Sequence, residues 1–238
     1  GKDSLNNEYV GGDGERHAVP PTLVITAVGH VPDADSCVTP DLLAPGNVLL
    51  LIGSTETEFA GSHFDLVHGE PDDPGVAPTP DTDAAVHYRH VHAAMQAGLI
   101  VSCHDVSEGG LAVALAEMCI AGRLGATIDT LPHDDIATAL FSESIGRMIV
   151  EVEPRIVPAF LRIMDDDALV LGTVNETGVL QLPGVDPIPV SSLADAFNSR
   201  AHDAVAIMLD HGDDRDPEGD RAADATPEPT STDEGGAP

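Results

Sequence analysis

The stretch SCHDVSEGGLAVALAEM, Ser102 to Met118, decides the fold. It follows the apolar run LIVSC at 99–103, turns through His104, Asp105, Ser107, Glu108 and the pair Gly109-Gly110, then enters a segment free of proline and almost free of polar residues. A strand, a polar turn and a helix apolar nearly all round make a unit whose helix should be buried.

Outward from this unit the same alternation recurs. Toward the N-terminus, Ala84–Ala97 carries Val86, Val91, Ala94 and Met95 at helical spacing before Gly98 ends it. NVLLLIG at 47–53 and the β-branched TLVITAVGHV at 22–31 read as strands, and EPDDPGVAPTPDT at 70–82 reads as a surface loop. Toward the C-terminus follow ATID (strand), IATALF (helix), GRMIVEV (strand), VPAFLRIM (helix), ALVLGTV and GVLQL (strands), and a last helix from about Ser192 to Leu209. Strands interleaved with helices predict an α/β sandwich, one sheet covered by helices. The Pro32–Pro45 stretch reads as a domain boundary, and residues 210–238, rich in charge, Pro and Gly, read as a disordered acidic tail.

The 238 residues carry 41 acidic and 10 basic side chains, for a net charge of −31, and Lys2 is the single lysine. That balance excludes a phosphate-backbone binder, so nucleic acid is not expected as a partner. No run approaches the roughly 20 apolar residues that span a bilayer, and no secretory signal opens the chain, so a cytoplasmic place is expected. Cys37, Cys103 and Cys119 are odd in number and widely spaced, which favours reduced thiols over a disulfide frame or a zinc site.

Three segments carry chemistry. GKDSLNNEY at 1–9 offers backbone N–H groups and short donors, which suits a phosphate loop and equally an ordinary turn. In the 102–118 unit, Asp105 is a hard oxygen ligand and Ser107 a phosphate donor for a magnesium nucleotide, or else Ser107 is a helix N-cap and the glycines serve close helix-to-sheet packing. In LFSESIGRMIVEV at 140–152, Arg147 either reaches a phosphate or pairs with Glu143. The pattern His87, His90, His92 puts only the first two on one helical face with no completing ligand, so surface polarity is the expectation there rather than a metal.

GKDSLNNEY, PPTLVITAVGHVPD, APGNVLLLIG, GSHF, SCHDVSEGGLAVALAEM, GATID and LFSESIGR, in this order and spacing, resemble the last third of the smaller, multi-subunit type of phosphoribosylformylglycinamidine synthase, from Gly1 to about residue 209. The resemblance implies a four-part enzyme of two ferredoxin-like domains, each followed by an α/β sandwich of the aminoimidazole ribonucleotide synthetase C-terminal type. Residues 1–32 would end the second ferredoxin-like domain, 33–209 would form the second sandwich, and 210–238 the tail. Within such an enzyme ATP activates the amide oxygen of formylglycinamide ribonucleotide as an iminophosphate and ammonia displaces it; a glutaminase subunit supplies the ammonia and a small accessory subunit aids assembly.

The resemblance further implies that the family's catalytic histidine lies in an earlier half absent from this chain, which should therefore not turn over substrate alone. Gly1 resembles an ATP-contacting glycine and Ser4 a substrate-binding serine. Lys2 stands where many members place a magnesium-binding Asn; an ammonium cannot ligate Mg²⁺ and would meet phosphate as a point charge. Asp105 and Ser107 match positions that bind magnesium and an auxiliary nucleotide in the longer relatives. Other members of the superfamily (aminoimidazole ribonucleotide synthetase, selenophosphate synthetase, thiamine-monophosphate kinase) share the D-x-S-x-G-G turn without the GKDSLNNEY and FSES-x-GR pair, and a non-catalytic structural module is the reading from another class.

An acidic, nearly lysine-free surface over an ordinary apolar core is the composition of a protein adapted to molar salt, where screening over a few ångströms removes self-repulsion. The melting temperature should therefore climb steadily between dilute buffer and molar KCl; a flat curve would remove the halophilic reading.

Overall fold

Leu49, Leu50, Leu51 and Ile52 are consecutive in sequence and all fully buried, so their strand is covered on both faces. In the computed structural model, which describes residues 8–12, 14–18, 25–69 and 75–199, this strand is β3 (Val48–Ile52), an interior strand of a seven-stranded sheet. The other strands are β4 (Ser102–Asp105), β5 (Gly125–Ile128), β6 (Met148–Val152), β7 (Leu169–Asn175), β8 (Val179–Gln181) and β9 (Ile188–Pro189). Their spatial order is β4-β6-β3-β7-β5-β8-β9, antiparallel throughout except for the parallel pair β5–β8.

Because side chains alternate across a strand, the run divides between two cores. Leu49, Leu51, Ile149 and Leu171 face α3 (Gly110–Gly122) and α4 (Ile136–Phe141). Leu50, Ile52, Val150 and Val152 face α2 (Ala84–Gln96) and α5 (Val157–Ile163), packing on Val91, Ala94 and Phe160. A short α1 (His63–His68), capped by the Ser62 hydroxyl on the Asp65 N–H, and a helix over residues 190–199, here α6, complete this unit. The α/β sandwich expected from the alternation is what forms.

Helix α2 ends as its sequence requires. Gly98 adopts φ +66°, its N–H bonds the Met95 carbonyl and the Leu99 N–H bonds the Ala94 carbonyl, the Schellman arrangement that closes a helix on glycine. The buried face of α2 differs from the expected one: it is Ala84, His87, Val91 and Ala94, whereas Val86 is exposed. His87 is not surface polarity, since its Nε2 lies 2.7 Å from Asp167 Oδ2, and that bond lets an imidazole sit in an otherwise apolar face. The strand expected at 99–103 begins only at Ser102 and runs to Asp105, in register with β6.

The chain parts between Cys37 and Val38 into two compact units. In the first, β1 (Glu8–Val10) and β2 (Arg16–Ala18) form an antiparallel hairpin joined by an Arg16–Glu8 ion pair, and a 3₁₀ turn spans Ala34–Ser36. The strand expected at 22–31 is absent from its described part, 25–31, where Ile25, Val28 and Val31 are exposed. A β-branched run favours extended backbone, but a strand exists only when a neighbouring edge pairs with it, and none does so among the described residues. The expected acidic tail and residues 200–209 of the last helix lie outside the described residues.

A buried carboxyl group anchors the entry to β3. Glu151, fully buried in β6, accepts from the Leu43 N–H (2.8 Å), the Ala44 N–H (3.0 Å) and the Asn47 side-chain amide (2.6 Å). Glu151→Ala should lower unfolding free energy by about 3 kcal/mol, since two part-buried N–H groups and the buried Asn47 amide lose their acceptor at about 1 kcal/mol each. Urea unfolding with an unchanged slope checks it, and Glu151→Gln should recover part of the loss.

Candidate functional site

The 102–110 turn is shaped by its two glycines. Asp105 ends β4 with its side chain exposed, Val106 is buried and its N–H bonds the Arg147 carbonyl, and Ser107 and Glu108 are exposed. Gly109 (φ +80°) and Gly110 (φ +68°) then take two successive left-handed conformations, which only glycine adopts without strain. A Cβ on Gly110 would stand 2.6 Å from the Ser142 carbonyl oxygen and 2.8 Å from that of Leu140. Gly110 therefore serves close approach of α3 to the end of α4 and the loop after it, not to the sheet, whereas a Cβ on Gly109 would meet the Val113 side chain of α3 itself. Ser107 is not the N-cap either: Gly109 holds that position, and the Ser107 carbonyl accepts from the Gly110 N–H.

That loop, residues 142–147, is held by Arg147. Its guanidinium, 1% exposed, donates from Nε to the Ser144 carbonyl (3.0 Å), from Nη1 to the Thr55 hydroxyl (3.0 Å) and from Nη2 to the Ser142 carbonyl. Burial pulls its pKa down to about 10, against the raising influence of Glu58 and Glu143, so it stays charged near neutrality. Arg147 thus reaches no phosphate and forms no direct ion pair with Glu143; its fork is spent on the chain. The loop is also braided to residues 55–58: the Ser142 hydroxyl donates to the Glu56 carbonyl, the Glu56 N–H to the Ser144 hydroxyl (3.0 Å), and the Glu143 N–H to the Glu58 carbonyl. Burial opposes ionisation of Glu58, but hydrogen bonds from Ser144 and from the N–H and hydroxyl of Thr79, with the Arg147 charge, hold its pKa below the usual value.

So fixed, the loop aims Glu143 at two helix starts. One carboxylate oxygen accepts from the Gly109 N–H (2.7 Å) at α3 and from the His63 N–H (2.9 Å) at α1. An anion between two helix N-termini is electrostatically favoured, and here the protein supplies its own. Around it stand His63, whose Nδ1 is 3.5 Å from Glu143, and His104, whose Nε2 is 3.1 Å from Glu117. With Asp105, Glu108, Glu117 and Glu143 at the turn, a bare phosphate would meet carboxylates, whereas exposed Asp105 and Ser107 oxygens suit a hydrated divalent cation, which needs only one or two carboxylates. No group of three or more metal-ligating side chains converges among the described residues, His87, His90 and His92 included.

Gly1, Lys2 and Ser4 lie outside the described residues. Cys103, on β4 beside the turn, is half-buried; burial and the nearby Asp105 charge push its thiol up to about 11, and burial pushes Cys119 up to about 12, which makes both inert near neutrality. No helix among the described residues is long and apolar enough to cross a membrane. Sequence reasoning passed over Glu143 as an acceptor of helix N–H groups and α1 altogether; the usable signals were the acidic residue inside the S-E-S turn and Ser62 ahead of His63 with Asp65 following. Arg147→Lys should destabilise the chain by about 3 kcal/mol, because one ammonium cannot reach two carbonyls and a hydroxyl lying in different directions. A drop in melting temperature several-fold larger than that of Thr55→Val would bear this out.

The comparisons with known proteins agree with this architecture. Residues 44–183 match the family described as AIR synthase related protein, C-terminal domain. The subunit PurL of phosphoribosylformylglycinamidine synthase from Thermobifida fusca is 38% identical over 190 residues, which is 76% of this chain and 24% of that protein. Among solved structures, T. maritima PurL complexed with FGAR superposes with a TM-score of 0.58 at 23% identity, over 68% of this chain and 30% of that one. The Thermotoga maritima synthase II structure gives 0.55 at 23% identity, over 68% and 28%. The chain thus spans about a quarter of the length of these relatives. Since the family match covers more than half of the residues and holds β3 to β8 with α1 to α5, the chain belongs to the AIR synthase related protein family, of which it carries the C-terminal domain.

Proposed function

We propose that this chain is the second sandwich, with the end of the preceding ferredoxin-like domain, of an ATP-dependent ligase that converts formylglycinamide ribonucleotide, ATP and glutamine-derived ammonia to formylglycinamidine ribonucleotide, ADP and phosphate in purine biosynthesis. The observation that carries the reading is 38% identity over 190 residues with a PurL subunit, in a chain that also holds the GKDS, S-x-H-D-x-S-E-G-G-L and FSES-x-GR segments together. It acts with the missing N-terminal half of the same enzyme, a glutaminase subunit and a small accessory subunit, in the cytoplasm of a salt-adapted cell.

Within that enzyme Gly1 and Lys2 contact ATP, Lys2 as a point charge against phosphate, and Ser4 contacts the ribonucleotide substrate. Asp105 and Ser107 are the positions for a Mg²⁺ ion or an auxiliary nucleotide held through one. Bound there, Mg²⁺ would neutralise phosphate charge; the chain's own contribution is a pair of exposed oxygens on a turn held rigid by Gly109, Gly110 and Glu143. One observation favours a second reading, a structural module without bound nucleotide: the Glu143 carboxylate already takes the Gly109 N–H that would greet a phosphate.

The test is reconstitution in high-salt buffer of this chain with its N-terminal half and both partner subunits, given ATP, Mg²⁺, glutamine and formylglycinamide ribonucleotide. Substrate-dependent ADP release should fall about tenfold or more in Lys2→Ala and Ser4→Ala, the scale on which a lost ligand contact shows. Activity indifferent to both changes would return 1–9 to turn chemistry, and a folded but silent assembly would favour the structural module. If Asp105→Asn leaves both rate and Mg²⁺ dependence untouched, the turn is structural.

A further inference from the structure

Helix α3 is apolar nearly all round, and a helix of that kind is ordinarily covered all round. Its inner face is covered: Leu111, Leu115, Met118 and Cys119 lie in the core with no exposure. Its outer face is open. Val113, Ala116 and Ile120, at helical spacing, form one wall of a groove of about 590 Å³ whose other walls are α4, the β8–β9 turn and α6. Each of these elements turns a large apolar side chain to solvent there, Val113 being 38% exposed, Ile136 41%, Val185 38% and Phe197 59%. Beside Phe197 the groove adjoins a cavity of about 520 Å³ between α3 and α1, lined by Phe64, Val67 and Phe141. Apolar side chains exposed singly are ordinary, but four converging on one groove mark a surface that another molecule covers.

Charge narrows what that molecule is. The groove lining holds no cation, its single charged side chain is Glu117, and Glu108 follows in the adjoining cavity. Asp135, Asp186 and Asp195, all exposed, stand one residue from the lining positions Ile136, Val185 and Ala196. A second copy of this chain would bring the same carboxylate rim against itself, which repels. An apolar groove rimmed by carboxylates is instead complementary to a helix whose apolar stripe is flanked by lysine or arginine. Helix α3 has 13 residues, so it offers about 20 Å of wall, room for three to four turns of such a helix. In molar salt only close charge pairs escape screening, so the stripe supplies the affinity and the rim the choice of partner.

We propose that the groove between α3, α4 and α6 docks an amphipathic helix of a partner protein, its apolar stripe on Val113, Ile120 and Ile136 and its basic flanks against the carboxylate rim. This goes beyond the ligase reading and does not depend on it.

The probe is a labelled peptide of about 14 residues with leucine at i, i+3, i+4 and i+7 spacing and lysine elsewhere, followed by fluorescence anisotropy against the full 238-residue chain in molar KCl. It should bind at one site about tenfold or more tightly than a scrambled peptide of the same composition, and than the same stripe with glutamate in place of lysine. Val113→Asp and Ile136→Asp, on different walls, should each weaken it about tenfold, the scale of one lost interface anchor. Leu43→Asp, at an exposed apolar position outside the groove, should leave it unchanged. Melting curves show which variants keep the fold, and Val185→Asp replaces either wall variant that does not. Equal binding of the patterned, scrambled and glutamate peptides, or equal loss in Leu43→Asp, would overturn the proposal. So would a chain that binds none of them, or a dimer in light scattering that Val113→Asp dissolves, because a second copy would then be the occupant.

Discussion

The buried guanidinium of Arg147 is the contact on which the candidate site rests. Burying such a charge is costly unless every donor is satisfied, and the two carbonyls and one hydroxyl that satisfy it are all on loops. The loops at 55–58 and 142–147 are thereby drawn together beyond the ends of β3 and β6, two strands already paired. Glu143 is carried on the middle of the second loop, so its position at the starts of α1 and α3 follows from the Arg147 bonds rather than from any preference of its own.

The charge economy of the turn follows from that arrangement. A helix N-terminus ordinarily attracts an anion from solution, but the α3 start is neutralised by a carboxylate from the same chain. What remains open at the turn is a set of oxygens, Asp105 and Ser107 among them, in a protein whose net charge is −31. Such a surface recruits cations first, and anionic ligands only with cations or with the charge of a neighbouring domain.

Most of the fold was legible in the sequence because periodicity reports burial directly. NVLLLIG and GRMIVEV, apolar on consecutive residues, read as strands, and they are β3 and β6, interior strands of the sheet. Gly98 after a helical period marked the end of α2. Periodicity failed where a side chain was buried for its partner rather than its polarity. His87 replaces Val86 on the inner face of α2 because Asp167, eighty residues away, bonds it. TLVITAVGHV failed for the opposite reason: its composition favours a strand, but pairing is a property of the neighbour.

The amino-acid sequence by itself determined the α/β alternation, the family resemblance and the places where chemistry concentrates, since these depend on residue type and spacing along one segment. Only the tertiary structure decided what the segments do to one another: that Ser107 caps nothing, that Gly110 meets the 140–142 backbone, and that Arg147 and Glu143 serve the chain. The Gly110–Ser142 approach, the Glu143–Gly109 bond and the Arg147–Thr55 bond join residues 32, 34 and 92 positions apart. The energy of such a contact depends on distance and direction in space, which spacing along the chain does not contain.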